Sequence, residues 1–187
     1  MKKIFMTILL AALAAAPALA DNYTIDPSHS FPSFEINHMG FSTQRGRFNK
    51  TEGKATLDPA KQAGTVDITI DASSIDTGLA KLEEHLRAED FFDVNKYPTL
   101  SFKSKMVSFN GEKPASIEVE LTLHGVTRPV ALKVNSFNCG VHPMTKKNVC
   151  GADAETTIKR SEFGMGKYVP AVSDDVRIII QTEMTKH

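Results

Sequence analysis

Residues 74–102 read SIDTGLAKLEEHLRAEDFFDVNKYPTLSF and hold the one clearly helical pattern in a chain that otherwise alternates like strands. Leu79, Leu82 and Leu86 fall at i, i+3 and i+7, one face of a helix, while Lys81, Glu83, Glu84 and Arg87 turn away from it. Phe91 and Phe92 follow at once, and Pro98 stops any helix before the next strand. Two readings fit this segment: a lid or plug over the open end of a β-barrel, or an ordinary core helix.

On both sides of it the period is two. Phe34, Ile36 and His38 alternate with Glu35, Asn37 and Met39; Val66, Ile68 and Ile70 alternate with Asp67, Thr69 and Asp71. Leu100, Phe102 and Ser104 continue the pattern, as do Ile117, Val119, Leu121 and Leu123. After the turn 125–129 come Val130, Leu132 and Val134, then runs at 152–159 and 176–185. About eight strands with one apolar face each predict an all-β fold. An antiparallel sheet curled around its apolar face satisfies the pattern. So does a two-sheet sandwich, and alternation does not separate the two.

The first 20 residues predict a removable leader. Lys2 and Lys3 form a basic start, residues 4–16 an apolar run, and Ala18-Leu19-Ala20 a small-residue cleavage site. The apolar run is too short to span a bilayer, and no other segment is a membrane-span candidate. The expected mature domain is 21–187, exported and soluble. Losing Lys2 and Lys3 leaves the 22 Asp and Glu two ahead of Lys and Arg, a balance that gives no footing for phosphate-backbone binding, which normally needs a basic face.

Cys139 and Cys150 are the only cysteines, and export places them where a disulfide persists. They bracket a polar, Gly- and Pro-bearing tip between two strand-like runs, so a bridge closing this loop would stabilise by about 3 kcal/mol. The Cys-X-X-Cys spacing of a redox site is absent.

Several runs resemble the YceI family of bacterial periplasmic proteins. They are Tyr23-Thr24-Ile25-Asp26-Pro27-Ser28-His29-Ser30, His38-Met39-Gly40-Phe41-Ser42 with Gly46-Arg47-Phe48, residues 85–93 with Lys96-Tyr97-Pro98, residues 121–130, and Arg160-Ser161-Glu162-Phe163-Gly164-Met165. The resemblance covers essentially residues 21–187. It implies an extended eight-stranded antiparallel lipocalin-like barrel, with the short helix capping or lining one end. It also implies an internal cavity for a polyisoprenoid such as an isoprenoid quinone. Gln44 stands where the family usually has an apolar residue. Val119 stands where the motif often has Gly, a change that would narrow the cavity or alter a strand bend and so bear on tail length.

Each methylene moved out of water gains about 0.8 kcal/mol, but the competing bilayer is already dry, so selectivity must come from cavity shape and head-group contacts. Large and adaptable apolar side chains suit such a tunnel. The candidate ligand-binding residues are Phe34, Ile36, His38, Phe48, Leu82, Leu86, Phe91, Phe92, Phe102, Met106, Leu121, Leu132, Met165 and Ile178. In a barrel of this size, core and ligand wall are largely one surface.

No histidine pair has His-X-His or His-Glu-X-X-His spacing, so a structural role is expected for His29, His38, His85 and His124 rather than a metal site. His29 and His38 could instead donate to a quinone carbonyl, and Arg45 and Arg47 suit a solvated face ahead of a head-group contact. Asp26, Ser28 and His29 supply the letters of a triad, but their adjacency signals a turn. No nucleophile elbow, phosphate loop or dinucleotide fingerprint occurs. The expectation is a non-catalytic periplasmic carrier of an isoprenoid lipid without a catalytic cofactor. A redox accessory presenting quinone to a membrane cytochrome and an exported hydrolase of small amphiphiles are the alternatives. A barrel with an open mouth could also pair as a homodimer.

Overall fold

The computed structural model describes residues 20–187, so the expected leader, apart from Ala20, lies outside the described residues. The elements are β1 (Asp21–Ile25), β2 (Phe31–His38), β3 (Ser42–Phe48), β4 (Thr51–Asp58), β5 (Ala63–Asp71), β6 (Ile75–Asp76), α1 (Ala80–Arg87), β7 (Thr99–Asn110), β8 (Lys113–Leu123), β9 (Val126–Val141), β10 (Asn148–Lys159) and β11 (Val172–Lys186). Every pairing is antiparallel, and the circuit β1-β4-β5-β7-β8-β9-β10-β11 closes through β1 on β11. That circuit is the eight-stranded barrel, and it rules out the sandwich. The strands β2, β3 and β6 carry the same wall onward from β11.

Short turns make neighbours of consecutive strands. Met39 and Gly40 (φ 55° and 75°) turn β2 into β3, and His124 and Gly125 (φ 51° and 73°) turn β8 into β9. Two successive positive φ values match the right-handed twist of the flanking strands. A side chain at Gly125 would also collide with the Tyr97 ring.

Beyond Asp71 the strand partner changes. β5 pairs with β7 as far as Asp71 on Thr99, whereas β6 pairs with β3 alone. The helix α1 sits against this edge. Arg87 donates from Nε to the Ser73 carbonyl (2.9 Å) and from Nη2 to the Ile75 carbonyl (3.0 Å). A side chain thereby satisfies acceptors that a strand would otherwise have to cover. At the helix start, Glu83 accepts from the Thr77 N–H (2.9 Å). No residue of α1 is fully buried, so it is not a core helix. Leu82 and Leu86 are half-buried, whereas Leu79 is the N-cap residue and is 60% exposed.

Met106 departs from expectation. It is 50% exposed, because a bulge between Ser104 and Met106 reverses which residues of β7 face inward. Leu100 and Phe102 are buried above the bulge and Val107 below it. The bulge falls where β7 leaves β5: pairing ends at Asp67 on Lys103, and Ser104 Oγ accepts the next N–H, that of Val66, at 2.7 Å. Cys139 and Cys150 are disulfide-bonded. They are also direct ladder partners, so the bridge is a rung within the long β9–β10 hairpin.

Candidate ligand-binding cavity

Two buried clusters divide the barrel lengthwise. One gathers Phe48, Ile70, Phe102, Leu121 and Phe163; the other gathers Tyr23, Ile25, Leu57, Cys150 and Met184 near the disulfide. The upper part encloses a cavity of about 540 Å3, within the range of about 300–1,000 Å3 usual for ligand sites. Its wall is built by alternation: Phe34, Ile36 and His38 from β2, Phe48 from β3, Phe102 from β7, Leu121 from β8 and Ile178 from β11. Leu82 and Leu86 of α1, then Phe91 and Phe92, line it from the side, and Met165 lines it from the segment after β10. Phe92 meets Phe48 edge-to-face at 5.5 Å, and Phe48 lies 6.3 Å from Phe34.

Leu132 faces a different space. A second cavity of about 90 Å3 lies toward the disulfide end, and Leu132 lines it with Ile117, Ala154 and Met184. Pro32 and Phe102 line both cavities and so form part of the partition between them. Val119, between Leu121 of the upper cavity and Ile117 of the lower, is buried in the core and lines neither. The buried Thr51 Oγ1 lines the lower cavity without a hydrogen-bond partner among the described residues.

The upper cavity reaches the surface between three segments. The β2–β3 turn supplies Met39, α1 supplies His85, and the segment before β11 supplies Tyr168 and Ala171. The Met39 N–H donates to the Ala171 carbonyl (2.9 Å). The His85 ring meets Phe91 edge-to-face at 4.9 Å, and Phe91 stacks with Tyr168 at 6.1 Å. Lys167 pairs with Asp90 across the same opening.

Both arginines at this cavity are engaged elsewhere. Arg45 donates to Glu35 (2.8 Å), which also accepts from Arg177 (3.0 Å), and the two arginines hold the Glu35 carboxyl below its ordinary pKa. Arg160 is buried and donates to four backbone carbonyls: Ser173 (2.8 Å), Lys167 (2.8 Å), Val172 (3.0 Å) and Met165. Burial lowers its pKa, opposed by nearby Asp174. These bonds brace the segment that carries Met165 and Tyr168 to the cavity. Arg47 lies over the Phe31 ring at 4.7 Å and does not line the cavity.

Among the histidines, His38 and His85 line the upper cavity. His124 packs on Tyr97 at 4.7 Å and contacts the Phe163 carbonyl through Nδ1 (3.1 Å). His29 lies in the turn between β1 and β2 and lines neither cavity. Its Nδ1 meets both Asp26 Oδ2 (2.9 Å) and Ser28 Oγ (3.1 Å), and Ser28 Oγ donates to Asp26 Oδ1 (2.6 Å). A Ser-His-Asp relay needs the two ring nitrogens to serve different partners, so this cluster is a turn. The Ser28 and His29 bonds push the Asp26 pKa down to about 2. Asp26 and, at longer range, Glu183 raise that of His29.

Sequence reasoning missed several wall residues. Leu100 and Val176 share the inward parity of Phe102 and Ile178, so alternation could have found them. Met39, Tyr168 and Val172 come from turns or strand ends, where no period points inward.

The YceI-like domain profile matches residues 23–184. A UPF0312 protein of Ectopseudomonas mendocina is 35% identical over 179 residues, covering 94% of this chain and 93% of its own. The crystal structure of Burkholderia cenocepacia BcnA superposes with a TM-score of 0.71 at 28% identity, covering 85% of this chain and 98% of that one. A polyisoprenoid-binding domain of Saccharophagus degradans superposes with a TM-score of 0.63 at 15% identity, covering 88% and 98%. That last likeness is one of fold.

Proposed function

The chain belongs to the YceI-like family, and from that premise we propose that it is an exported, non-catalytic carrier of a polyisoprenoid lipid, with an isoprenoid quinone as the favoured cargo. In this reading residues 1–20 are removed and residues 21–187 act in the periplasm. The observation that carries the proposal is the apolar cavity of about 540 Å3 inside a closed barrel, opening between α1, the β2–β3 turn and Tyr168. A cavity of that size, if left empty, forfeits dispersion contacts along its whole lining, so a tail that fills it also stabilises the barrel.

The polar groups at the opening support an uncharged head. His38, Gln44 and His85 line it and can donate to a carbonyl oxygen. Arg160 is spent on backbone carbonyls, and Arg45 shares its charge with Glu35 through Nε, which favours an uncharged head over a pyrophosphate. Mass spectrometry of an organic extract of the purified protein tests this. A stoichiometric isoprenoid quinone is expected, with a lower melting temperature after stripping that returns when long-chain quinone is added. An isoprenyl phosphate in the extract would keep the carrier and overturn the head-group assignment. Absence of any isoprenoid, with no melting response to added lipid, would remove the carrier reading.

A further inference from the structure

Eight large apolar side chains stand exposed among the described residues, and five of them surround the opening of the upper cavity. Phe41, 88% exposed, and Met39 lie at the β2–β3 turn, Leu79, 60% exposed, begins α1, and Tyr168 and Val169 lie on the braced segment before β11. The segments are tied together by the Met39–Ala171 hydrogen bond, the Phe91–Tyr168 stack and the Lys167–Asp90 pair. Of the remaining three, Val141 and Met144 sit on the disulfide hairpin at the other end, and Met106 sits on β7. Apolar side chains gathered in this way mark an interaction surface rather than scattered surface residues.

We propose that this rim docks on a lipid bilayer and passes the cargo directly between membrane and barrel. The inference rests on the carrier reading above and adds how the cargo enters. Its argument is the continuity of the rim with the cavity: Met39 and Tyr168 belong to both. A tail that left through water would lose about fourfold in partition for each exposed methylene, or about a millionfold for ten carbons. A rim seated among acyl chains spares the tail that exposure. Two of the cations near the opening, Arg45 and Lys167, are paired with Glu35 and Asp90. The docking therefore rests on the apolar side chains of the rim, and vesicles of zwitterionic lipid test it without help from anionic head groups.

Phe41 and Leu79 line neither cavity, which separates docking from loading. The test compares the wild-type chain, isolated with its cargo, with a Phe41→Ser, Leu79→Ser double variant and a Val141→Ser, Met144→Ser control. Cargo content, flotation with phosphatidylcholine vesicles and the rate of cargo transfer against vesicle concentration are measured. Wild type and control should float, with transfer proportional to vesicle concentration. The rim variant should keep its cargo content and melting temperature, float less and transfer at least about tenfold more slowly. Transfer independent of vesicle concentration, or a rim variant equal to wild type, would overturn the proposal. So would a rim that holds two copies of the chain together and never floats. If no preparation contains isoprenoid, the carrier reading fails by itself. Flotation of wild type but not of the rim variant would then still support the docking surface, and equal flotation would overturn it.

Discussion

The two ends of the barrel follow the same alternation and come out differently. At the disulfide end, β1 bridges β4 and β11, the β9–β10 hairpin carries a covalent rung, and about 90 Å3 remains open. At the other end β6 parts from β7, a helix stands in for a strand, and Arg87 and Arg160 hold backbone carbonyls that no ladder reaches. There the cavity is about 540 Å3. Continuous hydrogen-bonded strands bring side chains close enough to fill a barrel of this size. Interrupting them lets the wall stand off, and the volume follows.

The largest expected effect lies where the two ends meet. Phe102 is buried and lines both cavities, so Phe102→Ala should join them and destabilise by about 3 kcal/mol. That is the lower part of the usual range for such a truncation, because a ring already facing open space has fewer contacts to lose. Met106→Ala, four residues along the same strand, should change stability by less than about 0.5 kcal/mol, because the bulge turns that side chain outward. Urea denaturation of both variants checks the contrast, and mass spectrometry of bound lipid should show a shift to longer tails in the Phe102 variant alone. Equal midpoints for the two variants would mean the partition bears no load.

The contrast between Phe102 and Met106 also marks what was legible in the sequence. Period-2 alternation identifies which strand faces are apolar, and Phe34, Ile36, Phe102, Leu121 and Ile178 all stand where it puts them, on the cavity wall. It carries no register across a bulge, so Met106 follows the even-numbered pattern on paper and points outward in the fold. It also says nothing of where a barrel is divided, which is why Leu132 belongs to the lower cavity. Closure itself is a long-range pairing, Tyr23 on Lys186, and nothing local encodes it. The braces were least visible: Arg160 acts through four carbonyls, two in the segment before β11 and two at the start of β11, where the register is broken between Val172 and Val176.

A smaller effect is expected from the covalent rung that only one end possesses. Cys139→Ser with Cys150→Ser should destabilise by no more than about 3 kcal/mol, the chain-entropy value for a short loop. The β9–β10 ladder pairs residues on both sides of the bridge and holds the hairpin without it. Bound lipid should be unchanged, because Cys139 and Cys150 line neither cavity. Loss of cargo in this variant would show that the two ends are coupled and that the rung sets the shape of the upper cavity.

The smallest effect belongs to the Asp26–His29 turn at the disulfide end. Asp26 falls to about 2 from its ordinary 3.8, so its contribution is present above the ordinary value and lost as pH drops through about 2. His29 is raised from 6.5, so its contribution is full below 6.5 and lost as pH rises through the raised value. Both act together between about pH 4 and 6.5. NMR titration should place the His29 midpoint above 6.5, and Asp26→Asn should lower it, since the Asp26 bond is the largest cause. For the Asp26 carboxyl the Ser28 hydroxyl is the largest cause and the His29 bond the next, so Ser28→Ala and His29→Ala should each raise its pKa. The pair is exposed and screened, and lipid content should stay constant across the whole window. A cargo change that tracks the His29 titration would break the separation of the two ends, because Asp26, Ser28 and His29 line neither cavity.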